Sequence, residues 1–390
     1  MELKILKLRF LDTFKTESEQ DVKLFFSPGR INLIGEHVDN FGGFVFPAAI
    51  KFGTYAAVTK RFDGKVALYS GNFPDDGVIE FTLTDLTKRI DEPWSVYAKG
   101  VIDVFVKSGY DLKYGFNAYI EGTIPNGAGL SSSASLELLI AEILDDLHDF
   151  NIHMVEKVKM AQQAENDYVG VSCGIMDQFA IGMGKAGRAI KLNCSNLEYE
   201  YANCDLQNYR ILIMNTNKQR GLADSKYNER RTEADTALQL LQTKTDINHL
   251  CDLTVNEFDV VSNVLVDDSL YRRAKHAITE NERVKLAIKT LATGDLIQFG
   301  KLLDQSHISL RDDFEVSCIE LDTIVELARE QEGVLGARMV GAGFGGCAIA
   351  LVHIDKLDTV QEKVAKGYYE AVGYNVDFYI AEIGEGTRQL

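Results

Sequence analysis

"PNGAGLSSSASLELLIAEIL", residues 125–144, passes from a proline and two glycines through three consecutive serines into an apolar pattern of helical period. Leu136, Leu139, Ile140, Ile143, Leu144 and Leu147 recur at i, i+3, i+4, i+7, i+8 and i+11, which predicts an amphipathic helix with one buried face. Just before it, "GFNAYIEGTI" at 115–124 reads as a strand, so strand, small-residue turn and helix follow in series. A helix N-terminus presents unpaired N–H groups and the positive end of the helix dipole, and Gly127 and Gly129 let the backbone curl around an anion. Phosphate is the anion this points to, with simple side-chain capping by Ser131 or Ser132 as the alternative. No GK[ST] occurs in the chain, and neither HRD nor DFG, so any phosphoryl chemistry here uses another scaffold.

On either side of this helix the pattern alternates between sheet and helix. "TYAAVTK" (54–60), "KVALYS" (65–70), "RAIKLN" (188–193) and "YRILIMNT" (209–216) read as strands, 220–305 is largely helical, and strands return near 334–352 and 377–383. This is an α+β chain of mixed order. At 390 residues it exceeds the size at which one core keeps growing, so two domains are expected, although five prolines and no low-complexity linker leave the boundary unmarked. A net charge of −17 argues against extended nucleic-acid or anionic-membrane surfaces, since those partners are held by clustered Lys and Arg. The opening "MELKILKLRFLDTFK" lacks the apolar core and cleavage site of a signal peptide, and "MVGAGFGGCAIALV" at 339–352 is too short to cross a bilayer, so a cytoplasmic protein is expected. Six cysteines, scattered without a CxxC pair, read as reduced thiols.

Three further stretches carry polar chemistry. "GRINLIGEHVDNFGG" at 29–43 sets four glycines among an arginine, a glutamate, a histidine and an aspartate. That suits a loop wrapped around a polar ligand better than a core strand, with a solvated turn as the alternative. In "AENDYVGVSCGIMDQFAIGMG" (164–184), Asp177 stands among Ile175, Met176, Phe179 and Ile181, where a lone carboxylate is expensive unless paired. It is either a structural salt bridge or cap, or a carboxylate tuned as a catalytic acid or base. "GAGFGG" at 341–346 satisfies GxGxxG formally, but the apolar run "CAIALV" follows where a dinucleotide fingerprint needs a helix. A tight turn into a buried strand, or glycines packed near a ligand, remain open for it.

Together, "GRINLIGEHVDNFGG", "GLSSSASLE" and "RMVGAGFGGCAIAL" resemble, in order and spacing, the signature motifs of the GHMP small-molecule kinases. "WSVYAKGV", "CGIMDQFAIGMG", "NTNKQRGLADSKYNERR" and "SHISLRDDFEVSC" extend the likeness over essentially the whole chain. The resemblance implies a two-domain fold, with a mixed N-terminal domain at 1–185, a ferredoxin-like C-terminal domain at 186–390 and the active site between them. It implies ATP-dependent phosphorylation of the anomeric hydroxyl of α-D-galactose in galactose catabolism, by a cytoplasmic monomer with no nucleic-acid or membrane partner. Asp177 would be the catalytic carboxylate, and Arg30 would face both it and the transferring phosphoryl group. Glu36, His37, Asp39, Gly174 and Tyr227 would bind the sugar. Gly127, Ala128, Gly129, Leu130, Ser131, Ser132, Ser133 and Ala134 would cradle the triphosphate, Trp94 would lie against adenine, and Ser133, or Ser132 in its place, would hold Mg²⁺ with Glu165.

The chain departs from that pattern at "HVDNFGG", where the galactose-phosphorylating members usually read HTDYNGG. Asn40 and Phe41 therefore bear on sugar preference. Val340 and Ile319 replace a usual Thr and Pro. Related 1-kinases for N-acetylgalactosamine or arabinose, and a non-catalytic sugar and ATP sensor, are the alternatives the resemblance leaves.

Overall fold

The computed structural model describes residues 2–15, 20–89, 94–125, 129–218 and 223–390, so Gly127 and Ala128 lie outside the described residues. The N-terminal half is built on a six-stranded sheet in the order 388–389, 23–32, 47–61, 115–122, 65–70, 78–82, in which only 65–70 and 115–122 run parallel. Alternation along the strands divides the two faces. Phe25, Ala56 and Val58 point toward the helices Ser95–Lys107 and Ser132–His148, packing with Phe105, Leu139, Ile140 and Ile143. Leu24 and Ala57 point the other way, under Leu6 and Phe10 of the helix Leu3–Phe14. The helix expected from the leucine and isoleucine spacing is therefore present, with its apolar stripe against the sheet.

A second, wholly antiparallel sheet runs in the order 334–340, 347–353, 209–215, 377–381. With the helices Ile319–Arg329 and Leu357–Val372, its chain order is strand, helix, strand, strand, helix, strand, which is the ferredoxin-like arrangement. The helices Ala223–Leu241, Val255–Val261, Asp268–Thr293 and Leu296–Asp312 are inserted after its first strand, where the sequence predicts a helical region. Met214 and Ala348 pack toward Leu321, Ile324, Val360 and Val364. Ile213 and Ile349 pack on the opposite face, in one core with Ile31, Ile34, Phe46 and Ile50. The two halves thus share a hydrophobic core, and the residues at their junction are held rigidly.

Residues 29–43 differ from the loop that their glycines suggest. Gly29–Asn32 complete the buried strand Lys23–Asn32, and the chain leaves the sheet only after Asn32. The register against the strand Pro47–Arg61 shifts between Pro28 and Arg30, where Gly29 alone opposes residues 50–52, so the extra residues lie on the partner strand. A Cβ on Gly29 would sit 2.8 Å from the Leu130 carbonyl oxygen, so the glycine is there for close approach to the segment before the helix Ser132–His148.

Gly300, in the helix Leu296–Asp312, meets the strand Val334–Val340 at Gly336 so closely that a Cβ on it would lie 2.2 Å from the Leu335 carbonyl oxygen. Helix propensity alone makes Gly300→Ala stabilising by about 1 kcal/mol. Overpacking against backbone costs about 1–3 kcal/mol and should outweigh it. Denaturant unfolding is expected to find Gly300→Ala less stable than the parent, whereas a gain in stability would mean that helix and strand separate freely.

Candidate active site

Arg30 reaches from the strand Lys23–Asn32 to Asp177, on the first turn of the helix Met176–Gly182. Its Nε donates to Oδ1 at 2.8 Å and its Nη2 to Oδ2 at 2.7 Å, while Nη1 donates to the Gly129 carbonyl at 2.7 Å. A guanidinium and a carboxylate in this fork-to-fork arrangement fix each other's plane as well as their separation. Burial opposes the Arg30 charge, but Asp177 and Glu36 outweigh it and hold the guanidinium firmly protonated. The Asp177 side chain keeps 29% of its surface exposed, on the side that opens to a cavity.

Ser131 also donates to Asp177 Oδ2. It stands at the N-terminus of the helix Ser132–His148 in the left-handed conformation, φ 62°, and makes no side-chain cap. The capping alternative therefore fails for Ser131, whose hydroxyl serves the aspartate and leaves the helix N-terminus without a side-chain cap. The segment is gripped from two sides. Arg30 N–H donates to the Leu130 carbonyl at 3.1 Å, and a Cβ on Gly341 would lie 2.9 Å from the Gly129 carbonyl oxygen.

Glu36 joins the first motif to the glycine motif. Its Oε1 accepts from Arg338 Nη2 at 2.7 Å and from Gly341 N–H at 2.9 Å, and its Oε2 accepts from Asn32 Nδ2 at 3.2 Å. Burial raises its pKa despite Arg338 and Arg30. His37 follows with φ 67°, its ring centroid 4.9 Å from Phe314 and 5.5 Å from Tyr227. Burial, then the neighbouring His276 and Arg338, lower its pKa to about 3, so it is neutral at physiological pH. Its buried Nε2 has no hydrogen-bond partner among the described residues. Asp39 is pushed up to about 6 by burial and then by Asp177. A Cβ on Gly174 would lie 2.0 Å from Asp39 Oδ2, so only glycine fits there.

These groups wall a cavity of about 250 Å³ that also takes in Leu130, Ser132, Ser133, Glu165, Gly174 and Tyr227. A second cavity, of about 200 Å³, shares Tyr97, Ile124, Ser132 and Ser133 with the first and is lined by Trp94, Phe73 and Leu136. The Trp94 indole nitrogen is buried there without a partner among the described residues. One chamber is polar and charged, the other aromatic, and the serines stand between them. Glu165 sits on the π-helical turn Ala164–Val169, a distortion common at functional sites. Gln178 Nε2 donates to it at 2.7 Å and to the fully buried Glu137 at 3.1 Å. Burial, then Asp177, push Glu165 up to about 7, so this corner is short of positive charge. Among the described residues no three or more His, Cys, Asp or Glu enclose a metal site. A cation here would need oxygens from a nucleotide beside Glu165 and Ser133, which suits the partial protein ligation Mg²⁺ favours.

Of the residues expected at the site, Arg30, Glu36, His37, Asp39, Gly129–Ser133, Glu165, Gly174, Asp177 and Tyr227 line the first cavity and Trp94 the second. Ala134 instead turns its methyl into the core, which leaves only its backbone for a phosphate. For "GAGFGG" the reading of a turn into a buried strand holds, since the strand Cys347–His353 follows, and Gly341 and Ala342 line the cavity. All six cysteines are free thiols. The sequence reading did not reach Arg338, Gln178 or Glu137. A lone charged residue inside an otherwise apolar run, as in "LGARMV" or "LELLI", was the available signal.

A ferredoxin-like half joined to a mixed half, with a serine-rich helix N-terminus beside an Arg–Asp pair, is the architecture of a GHMP kinase. The GHMP kinases N terminal domain matches residues 96–185, the GHMP kinases C terminal domain 287–370, and the galactokinase galactose-binding signature 8–60. A galactokinase of Clostridium acetobutylicum is 52% identical, covering 100% of this chain and 99% of that protein, and one of Lactococcus lactis subsp. lactis is 51% identical, covering 100% and 97%. The crystal structure of Lactococcus lactis galactokinase complexed with galactose superposes with a TM-score of 0.97 at 50% identity, over 100% of both chains. A mevalonate kinase structure, at 18% identity and a TM-score of 0.65 over 92% of this chain and 98% of that one, shares the fold. The chain belongs to the galactokinase family.

Asp39 generates a pH-dependent prediction. An aspartate that titrates near 3.8 unfolded and about 6 folded costs stability wherever it must ionise in the folded protein, so the cost is full above pH 6 and disappears below its unfolded pKa. Asp39→Asn removes that cost. Ligand-free Asp39→Asn is expected to melt about 2 °C or more above the parent at pH 7.5, and to lose about half of that gain in free energy by pH 5. Equal melting of the two proteins at both pH values would show that Asp39 is not strained.

Proposed function

We infer that the chain transfers the γ-phosphoryl group of ATP to the anomeric hydroxyl of α-D-galactose, yielding galactose 1-phosphate and ADP. One observation carries this reading: Asp177, oriented by Arg30 and Ser131, faces the cavity walled by Glu36, His37, Asp39 and Tyr227. Full-length identity of 50% to a galactokinase complexed with galactose supports the choice of sugar.

In this reading the sugar hydroxyls meet the unpartnered His37 Nε2, Asp39 and Tyr227, with Gly174 offering backbone and Glu36 holding the wall in place. The anomeric hydroxyl faces Asp177, which takes or orients its proton as the oxygen attacks phosphorus. Arg30 offsets the charge that builds on the transferring group, and the charge is stabilised by groups already in position. Residues 127–134 follow the triphosphate, and the adenine occupies the chamber of Trp94. Ser133 and Glu165 would hold Mg²⁺, which supplies neutralisation of phosphate charge when bound.

We further propose that the halves divide near residue 185 and that the enzyme is a cytoplasmic monomer. The GHMP kinases N terminal domain match ends at residue 185, and no described helix is long and apolar enough to cross a membrane.

Purified protein with ATP, Mg²⁺ and a panel of galactose, N-acetylgalactosamine and arabinose is expected to release ADP fastest with galactose. Asp177→Asn should still fold and keep its sugar affinity, with a lower melting temperature because Arg30 loses its charged partner, while kcat per folded molecule falls by about 10²-fold or more. Near-parental kcat in that variant would remove Asp177 from catalysis, and a different preferred sugar would remove galactose.

A further inference from the structure

We propose that Asn40 fixes the direction of the Tyr227 hydroxyl hydrogen, so that Tyr227 meets the sugar as a donor and the site favours substituents that can receive a hydrogen bond there. This rests on the reading of Tyr227 as a sugar-contacting residue.

Asn40 lies in the turn Val38–Phe41, next to Asp39, and bridges to the helix Ala223–Leu241. Its Nδ2 donates to the Tyr227 hydroxyl oxygen at 2.8 Å, and its Oδ1 accepts from Arg231 Nη1. An amide side chain can turn over and exchange these roles, but a guanidinium has only donors. Arg231 therefore dictates which end of Asn40 faces it, and the amide N–H must face Tyr227. Arg231 is itself held. Its Nε donates to both oxygens of Asp235 at 3.2 and 3.1 Å, and its guanidinium lies 5.9 Å from the Phe41 ring centroid. Phe41 is buried against Phe314, their centroids 6.1 Å apart. Two of the three positions at which the motif departs from its family's usual pattern, Asn40 and Phe41, are thus the ones that hold Arg231; the third is Val38.

The consequence reaches the cavity. With its oxygen accepting from Asn40, Tyr227 keeps its hydrogen for another partner. It lines the sugar chamber beside His37 and Asp39. A hydroxyl, ether or carbonyl oxygen, or a carbon-bound fluorine, can receive that hydrogen. A protonated amine cannot.

The test compares kcat and KM for galactose with those for its monodeoxy, monodeoxyfluoro and monoamino analogues at each non-anomeric carbon, in the parent, Tyr227→Phe and Asn40→Asp. Fluorine accepts a hydrogen bond but donates none. At one ring position the parent is expected to use the fluoro analogue about threefold to tenfold better than the deoxy analogue, through KM with kcat unchanged. Tyr227→Phe should abolish that preference. Asn40→Asp should abolish it too, because a carboxylate keeps Arg231 but draws the Tyr227 hydrogen onto itself.

Persistence of the preference in Asn40→Asp, or its absence at every position in the parent, overturns the inference. The parent alone gives a further check. At the position where fluorine is preferred, the protonated amino analogue should be the poorest of the three, and a rank level with or above the fluoro analogue overturns the inference even if Asn40→Asp fails to fold. A parent that phosphorylates no galactose overturns the functional reading beneath it as well, so the two failures are distinct.

Discussion

The paired hydrogen bonds from Arg30 to Asp177 are the interaction on which the site depends. They join the strand Lys23–Asn32 of the N-terminal sheet to the helix that begins at Met176, across 147 residues of chain. Through its third donor Arg30 also fixes the Gly129 carbonyl, and through its backbone N–H the Leu130 carbonyl, so one residue positions both the carboxylate and the approach to the helix Ser132–His148. A buried ion pair is a weak source of stability, because desolvation takes back most of the Coulombic gain. What the pair supplies is geometry: Asp177 turns a fixed edge to the cavity while a positive charge waits where phosphoryl charge would develop.

The surroundings of that pair are electrostatically costly without ligands. Burial raises the pKa of Glu36, Asp39, Glu137 and Glu165, and lowers that of His37. Glu36 is compensated within the protein, by Arg338 and the Gly341 amide. Asp39, Glu165 and the His37 nitrogen have less compensation among the described residues, and they line the cavity together with Glu36. Strain of this kind is tolerated because the shared core between the halves holds the walls in place.

Much of this was readable in the sequence. The helix Ser132–His148 followed from its apolar spacing, the strands from short β-branched and aromatic runs, and the open helix N-terminus from glycines and serines before the helix. Local pattern carried that information. It could not reveal that Arg30 would lie on a core strand, because its acceptability there depends on Asp177, far along the chain. Nor could it assign Ser131 to Asp177 rather than to a cap, or join Glu36 to Arg338 across 302 residues. Asn40 and Phe41 were visible as departures from a family pattern, but their meaning lies in Arg231 and Tyr227, which only the fold brings near.

The central claim is that Arg30 and Asp177 act as one unit in phosphoryl transfer. A double-mutant cycle on kcat for galactose phosphorylation, using Arg30→Gln, Asp177→Asn and the two combined, tests it most directly. If the residues work only as a pair, each single change forfeits what both supply, and the double variant should fall within about threefold of the slower single variant. Losses that multiply in the double variant would mean that the two residues act independently, and would contradict the claim.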